Sequence, residues 1–324
     1  MNQLIALILG IVNTLAIHFA KVMQRYGIQA VTGKTKSSRM KLIYWAGFML
    51  TNTSFIWIMI ANEYAAPSYA TSMFGLGIIA LMITSRIVLK EQLTKRHFTG
   101  AFILVIGTLV LGYDGITQPI TSLSDIHLTT VWLFIGIFLV GVFSALLLSL
   151  RGKSTWLIGV TFGIVAGGLG GLDPVLKGIG QQFGGIVGLF PQNPDGRLPF
   201  VLSFFFGSGA FFTVQWGFHR RADASVIAPF HAALYVLMPQ LVQLLAMPGY
   251  SLTHLRLAGM LVTTGGVFLA AAPRRRVSGI TTAEAESGAA LAATEWPFTT
   301  ELELGIKPKV PVGRKGRRAR EPRS

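Results

Sequence analysis

Nine long apolar runs recur along this chain and leave few folds open to it. A helix that spans a bilayer needs roughly 20 apolar residues, with a range of about 17–25. Windows of that kind occupy residues 3–24, 42–61, 66–85, 97–113, 128–150, 155–177, 198–217, 224–247 and 257–273. Only Lys21, Asp173 and Lys177 place a formal charge inside any of them. A membrane β-barrel would alternate apolar and polar residues over ~10-residue segments; these runs are continuously apolar and about twice as long. Charged residues make up 13% of the 324, against ~25% in soluble domains. A water-soluble globule could not cover its surface with so few. The expected class is therefore all-α: a polytopic membrane protein with nine transmembrane helices. The first run lacks a basic leader and carries Lys21 late, so it is expected to be a retained span rather than a cleaved signal.

Basic residues orient these spans. Arg25, Lys34, Lys36, Arg39 and Lys41 follow the first window, and Arg86, Lys90, Lys95 and Arg96 follow the third. Arg151 and Lys153 follow the fifth, Arg220 and Arg221 the seventh, and eleven Lys and Arg fill 274–324. The opposite connections hold only Arg197 and Arg256. By the positive-inside rule the N-terminus is expected outside and the C-terminus in the cytoplasm. The net charge of +15 thus reads as a topology signal rather than a nucleic-acid surface. The stretch 274–324 has the Pro-, Gly- and Ser-containing composition of a disordered basic cytoplasmic tail, whose Arg314, Lys315, Arg317, Arg318 and Arg320 suit anionic lipid.

Two pairs of segments align. Residues 92–111 lie against 251–270 with Leu93/Leu252, Thr94/Thr253, Gly100/Gly259 and Gly107/Gly266 in register. Residues 11–29 lie against 164–182, sharing Val22/Val175 and Gly27/Gly180. Their common order divides the chain into a four-helix repeat over 1–127, a linker helix at 128–150 and a second four-helix repeat over 151–273. A four-helix unit ends on the side where it began, so one linker span inverts the second copy. Inverted repeats of this kind handle substrate near the midplane between the halves.

The run 63–93, EYAAPSYATSMFGLGIIALMITSRIVLKEQL, resembles the drug/metabolite transporter (DMT) superfamily, in which an Ala-Pro turn leads into a helix with a Lys-Glu-Xaa-Leu end. DASVIAPFHAALYV (223–236) resembles the matching segment of the second half. Gln24-Arg25-Tyr26-Gly27 and Lys177-Gly178 are similar to segments of the NIPA-type magnesium transporters, with Met73 and Gln215-Trp216 departing from that pattern. The resemblance covers about residues 4–273. It implies transport of Mg²⁺ or a similar divalent cation. The alternative within the superfamily is an EamA-like, proton-coupled exporter of a small organic metabolite or drug-like solute.

Polar residues at bilayer depth cost roughly 2.5–3.5 kcal/mol when charged, so each needs a reason. Thr14, His18, Lys21 and Arg25 fall on one helical face. The alternative for Lys21 is to extend along the helix to the inner surface. Asp173 and Lys177 are spaced i, i+4 for an ion pair; Asp173 is the only carboxylate within the windows and the candidate metal ligand. Pro174 is expected to interrupt the helix beside it, and Pro229 to open the backbone near His231 and Tyr235. Ser208, Phe211 and Gln215 share a face. Together Asn13, His18, Lys21, Asn52, Asp173, Lys177, Gln215, His231 and Tyr235 are the candidate substrate pathway. Gly163, Gly167 and Gly171, spaced by four, predict a close helix contact.

The windows sum to a net charge of +1, which suits a small organic anion or zwitterion better than a dry Mg²⁺ site, since Mg²⁺ favours carboxylate and water oxygens. The chain has no Cys, and Gly27 to Gly33-Lys34-Thr35 has the wrong spacing for a P-loop. No catalytic constellation is present, so no enzyme activity, cofactor or nucleic-acid partner is expected. The expected partners are the transported ion or solute and the lipid bilayer, and a homodimer is compatible with the pattern. The plasma membrane is the expected location.

Overall fold

The computed structural model describes residues 2–32, 36–89, 93–118, 123–151, 154–185, 187–220 and 222–271. The basic tail, Lys90-Glu91-Gln92, Lys34, Lys153 and Arg221 lie outside the described residues. The described residues form helices and contain no strand. The backbone explains why: in hydrocarbon each N–H and C=O needs an internal partner, and a helix supplies them within one segment.

The helices are α1 (Asn2–Val31), α2 (Ser38–Asn52), α3 (Ser54–Tyr64), α4 (Pro67–Ser72), α5 (Gly77–Val88), α6 (Lys95–Thr117), α7 (Leu128–Arg151), α8 (Thr155–Gln182), α9 (Pro194–His219), α10 (Ala224–Ala246) and α11 (His254–Ala270). With α2–α3 and α4–α5 each taken as one span, eight among the described residues are long and apolar enough to cross a membrane. The 17-residue α11 is apolar but shorter. These are the lengths and compositions of an integral membrane protein. Side-chain caps start several helices: Ser37 accepts from Met40 N, Ser154 from Leu157 N, Asn193 from Asp195 N and Thr253 from Arg256 N. Each supplies a partner for an orphan N–H.

Two spans are broken. Between α2 and α3 the hydroxyl of Thr51 donates to Gly47 O, the Asn52 amide to Phe48 O and the Thr53 hydroxyl to Leu50 O. Such back-bonding competes with the helix ladder and bends it. Between α4 and α5 residues Met73–Leu76 tighten into a 3₁₀ turn, and the Thr14 hydroxyl donates to Phe74 O at 2.7 Å. By contrast α8 runs unbroken through Pro174, and α10 through Pro229 and Pro239. The expected interruptions at Pro174 and Pro229 are therefore absent: each ring removes one donor while the packed neighbours hold the helix axis. α6 extends past its apolar window and takes in Asp114, 1% exposed. Asp173 is thus not the only carboxylate within the spans. Asp114 is buried because Arg256 reaches it at 2.7 Å, a pairing the apolar pattern does not register.

Glycines set the closest helix approaches. A Cβ on Gly163, Gly167 or Gly171 would run into α10 at Ile227 and Phe230, His231 and Leu234, or Leu234 and Met238 respectively. The predicted contact is there, and it seats His231 beside α8. α6 and α11 pack antiparallel, with Gly100 against Gly266 and Gly107 against Gly259.

Candidate functional site

A cavity of about 230 Å³ lies among α1, α2, α3, α8, α9 and α10. Of the sequence-predicted pathway residues, Lys21, Asn52, Asp173, Lys177, His231 and Tyr235 line it. The other three sit just behind the wall. Asn13 is a hydrogen-bond neighbour of Tyr235. Gln215 donates to Gln24 Oε1 at 2.6 Å. His18 takes the Thr14 carbonyl on Nδ1 at 2.8 Å, which fixes the proton there and leaves Nε2 buried without a partner.

Lys21 is buried at 5% exposure. It does not extend to the inner surface; its Nζ donates to His231 Nδ1 at 3.0 Å, across 210 residues of sequence. The Phe74 ring completes the setting. It stacks on Tyr235 at 3.9 Å, lies 4.8 Å from His18 and 5.4 Å from His231, and receives Lys21 Nζ over its face at 5.2 Å. Phe74 was not among the predicted residues. An apolar run offers no sign that one Phe in it will be aimed by a 3₁₀ turn, though Gly75 and Gly77 on either side of Leu76 were the available hint.

Asp173 forms the expected ion pair with Lys177. Lys177 is 1% exposed and also lies over the Phe204 ring at 4.6 Å. The Asp173 carboxylate fills the space that Gly207 leaves on α9, 3.2 Å from where a Cβ would be. Since Asp173 and Lys177 neutralise each other, Lys21 sets the net charge of the wall. Among the described residues no carboxylate lies within ion-pair distance of it.

Polar clasps close the cavity above and below. On the side of the α1 N-terminus, Asn62 donates to Gln181 Oε1 at 3.1 Å, Gln182 to Asn62 O at 2.7 Å and Gln181 to Met59 O at 3.0 Å, tying α3 to α8. On the opposite side, Gln24 joins Gln215 and also donates to Thr51 Oγ1 at 2.7 Å. Gln24 is a second residue the sequence reading did not single out for the pathway. The exposed members of the lining are Asn52, Phe55, Phe204, Ser208 and Phe212. All belong to α2–α3 or α9, so the mouth of the cavity opens sideways between those elements.

A separate polar cluster sits at the end of the bundle nearest the N-terminus. The Thr253 hydroxyl donates to Asp114 Oδ1 at 2.5 Å, and Arg256 donates to Ser251 O at 2.5 Å while stacking on Tyr250 at 4.1 Å. Tyr250 donates to Gln240. Burial pushes the Tyr250 hydroxyl above its ordinary range, and the Arg256 guanidinium offsets part of that rise.

Among the described residues no group of three or more His, Asp or Glu is placed to hold a metal ion. No family model, no curated protein and no solved structure matches the chain.

Proposed function

We propose that this protein is a secondary transporter of the DMT type that carries a small organic anion through the cavity lined by Lys21. The observation that carries this reading is the charge balance of the wall: Asp173 and Lys177 pair with each other, and the buried Lys21 has a His231 ring nitrogen rather than a carboxylate against its Nζ. A buried uncompensated ammonium is costly, and an anionic guest relieves that cost. The Mg²⁺ reading implied by the family likeness asks for free carboxylate oxygens; Asp173 is engaged by Lys177.

Nine spans in two inverted repeats are part of the proposal, with α6 and α11 as corresponding helices. The glycine contacts support it. If Gly100 corresponds to Gly259 and Gly107 to Gly266, an approximate twofold axis requires the contact Gly100–Gly266 to recur as Gly259–Gly107. Both approaches are present. Reciprocity of this kind is the mark of a contact across a twofold axis. The same correspondence relates Gly27, set against Met40 and Tyr44, to Gly180, set against Gly196 and Phe200. In this arrangement Lys21 and His231 come from opposite repeats, so their bond changes when the halves rock. The count of basic residues supports an N-terminus outside and a C-terminus in the cytoplasm.

Influx measured in proteoliposomes tests the reading. Ethanesulfonate, permanently ionised and water-soluble, should enter at a saturable rate and be competed by other small organic anions. Mg²⁺ influx should stay at the level of protein-free vesicles. Mg²⁺ flux without ethanesulfonate flux would overturn the reading in favour of the cation. Repeating the measurement with and without a pH gradient establishes whether protons drive it.

A further inference from the structure

The sideways mouth constrains what can enter. α2 and α3 pack on α1, and α9 packs on α8, but neither α2 nor α3 packs along α9. The gap is bridged by two aromatic pairs, Phe48–Phe211 at 5.3 Å and Phe55–Phe204 at 6.2 Å. Between these pairs lie Asn52 and Ser208, both exposed and both near the middle of their spans. Lipid chains occupy that depth, and an exposed amide there lacks water to bond with. Asn52 uses one N–H on Phe48 O. The mouth is therefore apolar at its edges, polar at its centre, and continuous with a cavity whose net charge is positive.

We propose that this mouth is a lateral portal through which a single-chain amphipathic anion enters from the bilayer, its charged head reaching Lys21 while its alkyl chain stays between the two phenylalanine pairs. The inference rests on the transport reading and names its substrate class. The cavity is too small to enclose the whole molecule, since pockets that bury drug-sized ligands run to ~300–1,000 Å³ and this one holds about 230 Å³. It suits a head group and the first few carbons. The aromatic edges give the chain an apolar path, and Asn52 and Ser208 give the head polar contacts on its way past the rim. The bend in the span at Asn52–Ser54 sits at the same height, where a small change of angle widens or narrows the gap.

The test uses the full chain in lipid nanodiscs with a decanesulfonate carrying a diazirine at its chain end. After photolysis, adducts should concentrate on residues 48–55 and 204–212. Unlabelled decanesulfonate should reduce them at least tenfold, ethanesulfonate should reduce them less, and Lys21→Gln should reduce them about tenfold. α7 serves as the internal reference, because its span is little buried and packs on α8 and α10 rather than on α2 or α3. Adducts spread over α7 and the portal alike, with no loss on competition, would overturn the proposal. The competition is read on the unmodified protein, so it stands even if Lys21→Gln does not fold. Ethanesulfonate influx without portal labelling would leave the transporter reading intact and sink the portal. Portal labelling without influx of either anion would do the reverse.

Discussion

Replacing Lys21 by Gln separates the anion and cation readings by sign. Lys21 Nζ donates one hydrogen bond to His231 Nδ1 at 3.0 Å. An ammonium has three donors, so two remain for a guest in the cavity. At about 4 Å and an effective dielectric near 20, one unit charge on the guest interacts with the ammonium by about 4 kcal/mol. Dehydration of the guest offsets part of this, and net values for hydrogen bonds to charged groups run about 1.5–3 kcal/mol. The expected loss on Lys21→Gln is therefore a rise of about 10- to 150-fold in the KM for ethanesulfonate influx. Lys21→Arg keeps the charge and should retain most of the affinity. Were the cargo a divalent cation instead, it would feel the same charge with the opposite sign and twice the strength, and only then would Lys21→Gln ease its passage. The assay is initial influx into proteoliposomes of matched protein content, with folding checked by size-exclusion elution. An unchanged KM for the anion, or Mg²⁺ influx that appears or rises in the variant, would refute the reasoning.

The Asp114–Arg256 pair is buried on both sides, so removing one partner strands a charge. Asp114→Asn should lower thermal stability by about 3–5 kcal/mol, and adding Arg256→Gln should recover part of the loss; a double-mutant cycle in detergent measures the coupling, and additive losses would contradict it. Gly167→Ala would bring a Cβ to 2.8 Å from the His231 Cα. Overpacking of this kind costs about 1–3 kcal/mol, and it should also slow transport by displacing His231, whereas Gly136→Ala, with open space around its Cβ, should do neither. Tyr250 is protonated in the folded state beyond the pH at which an exposed tyrosine ionises. The folded state thus holds the proton more tightly, and its stability should fall as pH rises above about 10. Tyr250→Phe should flatten that alkaline decline in a melting-temperature series, and an unchanged slope would count against the burial of the hydroxyl.

How far the sequence led can be judged from single residues. Lys21, Asp173, Lys177, His231 and Tyr235 are legible because a polar group in an apolar window is conspicuous, and all five line one cavity. The Asp173–Lys177 pair was legible because a helix makes i and i+4 neighbours. Phe74, Gln24 and the Asp114–Arg256 pair were not legible. Phe74 is one aromatic among 22 phenylalanines, and nothing local shows which of them faces inward. Asp114 lies one residue past its window, where apolarity alone marks an end to the helix. Pro174 misled in the other direction, since a local rule about a missing donor was overridden by packing against α9 and α10.

By itself, then, the chain's order of residues determined that it is helical, how many apolar runs it has and which side chains disturb them. Those properties follow from length, periodicity and the cost of unpaired backbone in lipid, all of which are local. The tertiary structure decided which helices touch, and so brought Lys21 to His231 and Gln24 to Gln215 across 210 and 191 residues. It also decided that the cavity opens between α2–α3 and α9. Apolar helix faces resemble one another, and lipid does not drive one face against another as water would. Partner choice therefore rests on glycine-scale fit and a few polar contacts, which exist only once the helices have met.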